Sequence, residues 1–390
     1  MKIAMLVPDN RDEFRRYSDP EPYFGPAPTA LLEGLAKIPE CEIHIVCCIQ
    51  QPLRSPAKLA DNIYYHSILV PKWGWLRGGY LGCVRALRKK LREINPAVVH
   101  GQGTERYCAL AAIYSGFPNV LTIHGNMRRV AKVNGARPFS FLWLAARMEQ
   151  FALPRSDGVI CNSTYTQLQV SSLAKRTWLV PNALQEKFFA PLQIRPLQDV
   201  PVLLNIGAVA PHKGQNTVLD IAEHLNKRKY RFAIHFVGKL NGQTSYEIQF
   251  RNRVMEAEKK GYAKYLGEKS PDELIQIMDA ASAMVHLPSE ESFGLVVAEG
   301  LARNLKFFGA RIGGIVDIAK DVEGAELFDS NDWASLGEAV SRWLVKGHPR
   351  MTLAAQLMRE RFHPAGIAAM HGEIYREIIR DQCAEAFLIG

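Results

Sequence analysis

The feature of this sequence that most constrains its fold is a strand–helix alternation that runs through the chain twice. Short, β-branched apolar segments predict strands, and the longer segments between them have helical periodicity. Such an alternation requires right-handed crossovers, and therefore a parallel sheet with helices on both faces. The predicted strands are 2–7, 42–48, 97–101, 119–125, 158–163 and 177–182 in the first run, and 201–209, 231–238, 263–267, 283–288 and 306–310 in the second.

One segment between the two runs breaks the alternation. Residues 183–201 contain three prolines and mixed polarity, which predicts a linker over 183–200. The fold class is therefore α/β, with two Rossmann-like, doubly wound domains over 1–190 and 200–364. The amphipathic helix at about 365–388 could pack on either domain, including back on the first. Ligands bind beyond the carboxyl ends of strands in such sheets, so two facing domains predict a cleft between those ends.

The composition narrows the class of protein. The chain has 390 residues, 47% of them hydrophobic, a net charge of +9, and seven cysteines without a CxxC pair. No apolar stretch approaches the roughly 18 residues of a spanning helix, and the first strand is too short for a signal peptide, so we expect a cytoplasmic protein. The positive charge favours anionic partners. No zinc-finger spacing, RNP motif or helix-turn-helix signature accompanies it, and we expect no nucleic-acid partner.

The segment "PSEESFGLVVAEGLAR" (288–303) combines a turn, a helix start and two carboxylates. The first-turn amides of a helix are unpaired and form a natural seat for phosphate. Glu299 lies on the same helical face as Leu295, one turn earlier, and could accept hydrogen bonds from a ribose diol. Glu291, ahead of the helix, could hold hydroxyls of a second sugar. Alternatively, Glu291 is a solvated turn residue and Glu299 reaches out of a surface helix.

The same segment is similar to the E-x7-E motif of family 4 retaining glycosyltransferases, which have the two-domain GT-B fold. Other segments resemble this family in the same order along almost the whole chain. They are "AVVHGQG", "LTIHG", "LVPNAL", "LLNIGAVAPHKGQNTVLDI" (203–221), "YLGEKSPDELIQIMDAASAMVHLPS" (265–289) and "GGIVDIAKD" (313–321). The resemblance implies the transfer of a sugar from a nucleotide diphosphate sugar, with a UDP- or GDP-sugar as the expected donor, to an acceptor hydroxyl.

The resemblance also implies roles for residues of the second domain. Glu291 would contact the donor sugar, Glu299 the ribose, and the amides of Gly294 and Leu295 the diphosphate. Lys213, in a strand–loop–helix that begins at Gly207, would neutralise the diphosphate, unless it is only a solvated loop lysine. Fixed cations and amides of this kind stabilise a leaving group.

Two positions depart from the family pattern. The arginine that usually follows the first glycine is replaced by Ala208, and either Arg303 or His212 could compensate. In the first domain, the family's glycine-containing loop corresponds to Gly25, where the usual double glycine is Gly-Pro.

Three further residues of the first domain end strands or begin helices. The resemblance places His124 against the donor sugar, whereas a lone histidine at a strand end is otherwise structural. Glu105 could serve the acceptor, but a role in complementing a helix dipole ranks first. Asn162 could cap the helix that follows it.

The sequence contains no D-x-D and no cluster at metal-ligand spacing, so we expect no metal and no cofactor besides the sugar nucleotide. Residues 71–94 contain seven basic and three aromatic residues. They could lie on an anionic membrane, in keeping with a lipid-linked or lipopolysaccharide acceptor, or form a solvated helix.

The sequence therefore predicts a retaining, metal-independent glycosyltransferase of cell-surface polysaccharide, lipopolysaccharide or glycolipid synthesis. Two alternatives stay open. One is a sugar-nucleotide-binding protein without catalysis, an alternative suggested by Ala208 and by the altered glycine loop. The other is a GT-B epimerase or phosphorylase, which would need a base constellation or a pyridoxal-phosphate lysine.

Overall fold

The protein contains two β-sheets, one in each of two units. The computed structural model describes residues 1–193 and 200–389, with side chains as far as 382. The first unit comprises Met1–Gln185 with Phe362–Gly390, and the second Glu186–Arg361. The division thus falls at 185/186, inside the predicted linker 183–200, and residues 194–199 of that linker lie outside the described part. The C-terminal helix belongs to the first unit.

The sheet of the first unit has eight strands in the order β3-β4-β2-β1-β5-β6-β7-β8, parallel except for the β3–β4 pair. The second unit has a parallel sheet in the order β11-β10-β9-β12-β13-β14. The strands are β1 Lys2–Leu6, β2 Glu42–Ile49, β3 Lys58–Ala60, β4 Ile63–Leu69, β5 Val98–Gln102, β6 Asn119–Ile123, β7 Val159–Cys161, β8 Thr177–Leu179, β9 Val202–Ile206, β10 Ala233–Val237, β11 Ala263–Gly267, β12 Ala283–His286, β13 Lys306–Ala310 and β14 Ala325–Phe328.

Helices connect the strands and cover both faces of each sheet. In the first unit they are α1 Asn10–Phe14, α2 Pro26–Leu35, α3 Leu81–Ile94, α4 Tyr107–Ile113, α5 Met127–Val133, α6 Phe141–Ala152 and α7 Thr164–Val170. In the second they are α8 Gln215–Lys227, α9 Ser245–Lys259, α10 Pro271–Ala280, α11 Leu295–Ala302, α12 Ile315–Ala319, α13 Trp333–Val345 and α14 Ala354–Phe362, followed by α15 Pro364–Ile389.

In each sheet the strand order reverses at one point, and the candidate site lies at this point. In the second unit, β9 lies between β10 and β12, so the connections leave β9 on one side and β12 on the other. In the first unit, β1 occupies the same position between β2 and β5. The loops at the carboxyl ends of such strands diverge and leave a crevice, where ligands of doubly wound sheets bind.

Helix α15 is held on the first unit by close packing and by one buried hydrogen bond. A Cβ at Gly34 of α2 would lie 2.1 Å from the carbonyl oxygen of Pro364, so only glycine allows the two helices to come this close. The Tyr375 hydroxyl lies 2.7 Å from Nδ1 of the buried His100 at the centre of the sheet. The last helix of the chain thereby completes the core of the first unit.

The alternation in the sequence predicted eleven of the described strands, including the edge strands β8 and β11, and missed β3, β4 and β14. Strand β4 was not predicted because the polar residues His66 and Ser67 interrupt its apolar run. Strand β14 is half-buried along its whole length. The six cysteines with described side chains are all free and buried. Among the described residues, no helix combines the length and apolarity needed to cross a membrane.

Candidate functional site

The site of the second unit is built from two loops that meet at the crevice between β9 and β12. The first loop, 207–214, follows β9, and the second, 287–294, follows β12. The Ser289 N–H donates to the carbonyl oxygen of His212 at 2.8 Å, which ties the loops together. A Cβ at Gly214 would lie 2.2 Å from the Leu287 carbonyl oxygen, so the loops also pack at backbone distance.

Lys213 and Glu291 face each other across this crevice. The Lys213 Nζ donates to Glu291 Oε2 at 2.6 Å, and both side chains are largely buried. His286, the last residue of β12, lies with its Nε2 3.3 Å from the same oxygen. The structure thus brings together two residues that the sequence separates by 78 positions and adds a histidine that sequence reasoning missed. Its position, at the end of a buried strand just before the motif, was the available signal.

The ion pair keeps Glu291 charged. Burial opposes its ionisation, but the Lys213 ammonium and the His286 N–H outweigh burial and hold the pKa of Glu291 at about 2. Burial also lowers the pKa of His286, and Glu291 offsets this only in part. At neutral pH the cluster therefore consists of a carboxylate, an ammonium and a neutral imidazole that donates from Nε2.

Helix α11 directs its amino terminus into the same crevice. Gly294 is its N-cap, in the left-handed conformation at a φ of 97°, and no side chain caps the helix. The N–H groups of Val297 and Ala298 both bond to the Gly294 carbonyl oxygen. The first-turn amides of Leu295 and Val296 precede these bonded groups and belong to the unpaired set that binds anions at helix starts.

Glu299 lies on the second turn of α11 and is only 7% exposed. Among the described residues, no side chain or backbone group hydrogen-bonds to its carboxyl group or forms an ion pair with it. Burial alone raises its pKa to about 8. An isolated buried carboxyl group costs stability when it ionises, so its position requires a compensating role.

Two consecutive glycines that sequence reasoning assigned no role support the turn that carries Glu291. The Gly314 N–H donates to the carbonyl oxygen of Glu291 at 3.1 Å. A Cβ at Gly313 would lie 1.8 Å from that oxygen, and one at Gly314 would lie 2.6 Å from the Phe293 Cα. The backbone before α12 therefore lies directly against the turn between β12 and α11 and holds Glu291 in place.

Gly313→Ala is expected to lower the free energy of unfolding by about 2–4 kcal/mol, because a left-handed alanine and a backbone clash are combined. The φ of Gly313 is 52°. Gly347→Ala is the matched control, since its φ is 84° but nothing lies within 4 Å of a Cβ there. The control should lose only about 1 kcal/mol. If urea denaturation showed the same loss of unfolding free energy for both variants, the packing against Glu291 would not contribute to stability.

Neither residue considered as a substitute for the arginine missing at Ala208 provides a cation at this site. Arg303 is fully buried and bonds to Asp279 at 2.8 and 2.6 Å. It also donates to the carbonyl oxygens of Phe188 and Ala190, so it anchors the start of the second unit. Burial, together with the charge of Lys213, lowers the pKa of His212, which leaves its ring neutral at neutral pH.

The fold brings another lysine to the loop that contains Ala208. The carbonyl oxygen of Lys239, which follows β10, accepts from the Val209 N–H at 2.9 Å. A Cβ at Gly238 would lie 2.1 Å from the Gly207 carbonyl oxygen, so the two loops cross in contact. Lys239 is exposed. Sequence reasoning passed over this Gly-Lys step, although it ends a buried strand.

Gly25 lies in the first unit, after β1, and its surroundings weaken its expected role toward phosphate. It is the N-cap of α2 with a φ of 84°. Pro26 and Pro28 have no N–H, and the Thr29 N–H already bonds to the Gly25 carbonyl oxygen at 3.2 Å. Only the Ala27 amide of the first turn remains for an anion, whereas α11 has no proline in its first turn.

His124 also lies in the first unit, directly after β6 and two strands from β1. Its Nε2 lies 2.7 Å from Gln102 Oε1 at the end of β5. Burial lowers the pKa of His124 to about 4, so the ring is neutral and Nε2 donates to the amide oxygen. The bond orients the ring and leaves Nδ1 as an acceptor. Gln102 was missed from sequence because a buried glutamine at a strand end has no distinctive spacing.

The other residues singled out in the first unit make local contacts. Asn162 does not cap α7, since Ser163 accepts from the Thr166 N–H instead. Glu105 accepts amides of its own loop, and burial raises its pKa. The missed Glu149 is fully buried on α6 and accepts from Thr104 Oγ1 at 2.7 Å and from the Met127 N–H at 3.1 Å. It thereby joins the loops that follow β5 and β6.

Among the described residues, no group of three histidine, cysteine or acidic side chains could hold a metal ion. The charges that the second unit directs into its crevice are those of Lys213, Glu291 and the α11 amides. This arrangement is suited to an anionic, hydroxyl-rich ligand.

Comparison with known proteins agrees with this geometry. The family model described as Glycosyltransferase Family 4 matches residues 29–186, and the model described as Glycosyl transferases group 1 matches residues 189–358. An uncharacterised glycosyltransferase of Methanocaldococcus jannaschii is 25% identical over 237 residues, 60% of this chain and 61% of that protein. A D-inositol 3-phosphate glycosyltransferase of Acidothermus cellulolyticus is 32% identical over 165 residues, 40% of this chain and 35% of that protein. The chain thus spans between 35% and 61% of the length of these relatives.

Solved structures match almost the whole chain. Sucrose-phosphate synthase from Thermosynechococcus elongatus has a TM-score of 0.77 at 18% identity, with 98% of this chain and 100% of that chain covered. The Anabaena protein Alr3699/HepE in complex with UDP-glucose has a TM-score of 0.71 at 16% identity, with 97% and 100% covered. At these identities the likeness establishes the fold alone.

Proposed function

The chain belongs to glycosyltransferase family 4 and has the GT-B fold, and we propose that it transfers a sugar from a nucleotide diphosphate sugar to an acceptor hydroxyl with retention of configuration. The observation that carries the proposal is the crevice between β9 and β12. A lysine and a helix amino terminus meet there, and the second turn of the same helix carries a buried carboxyl group to which no described residue is hydrogen-bonded. These are the groups that a diphosphate and a ribose diol require.

Each group has a distinct task in the proposed reaction. The α11 amides and Lys213 stabilise the diphosphate as negative charge develops on it, which is the main electrostatic demand of the step. Glu299 accepts hydrogen bonds from the ribose hydroxyls. Glu291 exchanges its bond with Lys213 for hydroxyls of the donor sugar when the diphosphate arrives. With charge supplied in this way, the reaction proceeds without a metal ion, and the departing diphosphate oxygen helps to deprotonate the acceptor hydroxyl.

UDP-sugars are the first donors to test, because the Anabaena protein of similar fold was crystallised with UDP-glucose. The protein should be incubated with UDP-, GDP- and ADP-sugars, and both the melting shift and the nucleotide release should be measured. A shift with one base, followed by release in the presence of an acceptor, is the expected result. The anomeric configuration of the product, determined by NMR, tests retention. No shift with any nucleotide would contradict the proposal.

A sugar-nucleotide-binding protein without catalysis is the second candidate, and Ala208 is the observation that favours it. Lys213 pairs with Glu291 in the crevice, and Ala208 leaves the position of the family's second cation without a charge. A melting shift without nucleotide release, across a panel of glycan and lipid acceptors, would support this candidate.

His124→Ala is expected to lower the rate of transfer about 10- to 30-fold while the affinity for the nucleotide stays within about twofold, because one neutral hydrogen bond to the sugar is lost. The wild-type rate should show no change attributable to His124 between about pH 6 and 8, since its pKa is about 4. Transfer rates and nucleotide titrations of both proteins measure this. An equal loss of nucleotide affinity would assign His124 a different role.

The acceptor proposed here is a lipid-linked or lipopolysaccharide glycan at an anionic membrane. Helix α3 does not lie on a bilayer by its apolar face, because Cys83, Leu87 and Leu91 pack in the core. Exposed apolar residues instead lie before the helix and at its first residue: Trp73 is 72% exposed, and Leu69 and Leu81 are more than half exposed. They lie at the carboxyl end of β4 and in the segment after it, with basic residues between them, and in this proposal they contact the membrane peripherally.

A further inference from the structure

The helices α5 and α6 form a hairpin that carries exposed apolar residues and exclusively basic charges. We define the basic hairpin as residues 127–147. It contains five basic and no acidic residues: Arg128, Arg129, Lys132, Arg137 and Arg147. Among the described residues, none of these five side chains forms an ion pair with a carboxylate. The hairpin therefore presents a concentrated positive charge that the rest of the first unit leaves unneutralised.

The exposed apolar residues of the hairpin lie among these charges. Phe139 is 81% exposed, and Val133 and Phe141 are also exposed, at 44% and 40%. Phe139 has a φ of 64°, a conformation that costs energy for any residue with a Cβ and more for an aromatic one. Its ring packs against Trp143 at 5.3 Å, and the Arg147 guanidinium lies over Trp143 at 5.1 Å. An aromatic and cationic row thus follows one face of the hairpin at four-residue spacing.

The position of the hairpin relates it to the proposed reaction. It follows β6, so it lies at the carboxyl edge of the sheet, and it begins three residues after His124. The exposed patch around Trp73 lies at the same edge, after β4. Strands β4 and β6 are four positions apart in the sheet order, which corresponds to about 19 Å. Both patches are therefore placed on the edge that carries the loops of the first unit.

We propose that the basic hairpin docks on an anionic lipid bilayer, with Phe139 inserted at the interface and the basic side chains on lipid phosphates. Aromatic rings with arginine and lysine are the combination that binds membrane interfaces, because the ring enters the acyl boundary and the charge remains at the headgroups. A second copy of the chain is disfavoured as the occupant, since two basic faces repel each other. The inference rests on the proposed function for its purpose, the presentation of a membrane-bound acceptor beside His124.

The test uses the full chain and co-sedimentation with vesicles of phosphatidylcholine alone or mixed with phosphatidylglycerol. The wild type should bind the anionic vesicles at least about tenfold more tightly, and salt at about 0.5 M should remove the difference. Phe139→Asn keeps a residue that tolerates the left-handed conformation and should weaken binding about tenfold. The double variant K132Q/R137Q should weaken it about tenfold or more.

Matched controls separate the hairpin from general surface effects. Leu168→Gln removes a 72% exposed apolar residue of the same unit, and K260Q/K264Q removes two exposed charges of the other unit. Both should bind anionic vesicles within about twofold of wild type. Melting temperatures and UDP-glucose affinity should be unchanged in all variants, which shows that folding and the donor site are intact.

Three outcomes would overturn the proposal: equal binding of wild type to both kinds of vesicle, equal losses in the controls, or tighter binding to a single-stranded oligonucleotide than to anionic vesicles. Nucleotide release from UDP-sugars in vesicle-free buffer tests the proposed function separately. A protein that transfers sugar in solution but ignores anionic vesicles would contradict the docking inference alone. A protein that binds vesicles but no nucleotide would contradict the proposed function alone.

Discussion

Glu299→Gln should stabilise the free protein and at the same time weaken its binding of UDP or GDP about 10- to 100-fold, because a ribose diol that donates two hydrogen bonds favours the ionised carboxylate, and Gln cannot ionise. Opposite signs are expected since the carboxyl group is buried without a partner. Its isostere, a neutral amide, avoids the cost of a buried charge but offers a diol one acceptor oxygen instead of two. Nucleotide titrations and urea denaturation of both proteins measure the two effects.

The stabilisation depends on pH with a definite sign. The pKa of Glu299 is about 8 in the folded protein, against an ordinary value of 4.5. Between these pH values the folded protein retains a proton that the unfolded chain has lost, so the wild type loses stability as pH rises, and the loss is complete above about pH 8. The advantage of Glu299→Gln should therefore grow from zero near pH 4.5 to about 3–5 kcal/mol at pH 8.

Glu149→Gln is the matched control for this effect. Glu149 is also a fully buried carboxyl group on a helix, but it accepts hydrogen bonds from Thr104 and from the amides of Met127 and Arg128. Its replacement should destabilise the protein by about 1–3 kcal/mol. If Glu299→Gln destabilised the protein to the same extent, Glu299 would have a structural partner, and its assignment to the ribose would be wrong.

Lys213→Ala is expected to cause the largest loss of activity, about 1,000-fold in transfer and about 100-fold in affinity for a nucleoside diphosphate. The substitution removes the cation that pairs with Glu291 in the crevice and leaves that carboxylate buried without its main partner. The remaining carboxylate would repel the diphosphate. Rates of transfer and nucleotide titrations provide the test, and Lys213→Arg, which keeps the charge, should restore part of the affinity.

Glu291→Gln separates the two roles of the ion pair. It removes the carboxylate but keeps Lys213, which then has no competing charge, so the affinity for the nucleoside diphosphate should stay equal or rise a few-fold. Transfer should still fall about 100-fold, because the proposed contact to the donor sugar is lost. A parallel loss of nucleotide affinity in Glu291→Gln and Lys213→Ala would mean that the pair acts only as a structural unit.

Much of the candidate site was predictable because several of its functional residues lie in one short, continuous segment. The turn and helix that hold Glu291, Gly294 and Glu299 are contiguous, and their spacing defines one helical face. The contacts of these residues were not predictable. Nothing in the sequence indicates that Lys213 pairs with Glu291, that His286 joins them, or that Gly313 supports their turn, since each contact crosses between loops of different strands.

The prediction that Arg303 or His212 replaces the arginine missing at Ala208 was wrong for a related reason. Arg303 lies four residues after Glu299 and was therefore a candidate for the missing cation. Its guanidinium is instead enclosed by Asp279 and by backbone carbonyl oxygens of the first residues of the second unit. Proximity in sequence to a site does not determine the direction of a side chain. Lys239, distant in sequence, is brought to the loop of Ala208 because β10 and β9 are neighbours.

The sequence by itself determined the class of fold, since alternating periods of apolar residues leave few alternatives to two doubly wound sheets. It also determined the helix that offers its amides and the two carboxyl groups around it. Only the tertiary structure decided how these groups are charged. Burial without a partner raises the pKa of Glu299 to about 8, and pairing with Lys213 lowers that of Glu291 to about 2. Protonation depends on solvent exclusion and on charges brought together by the sheet, which no local pattern encodes.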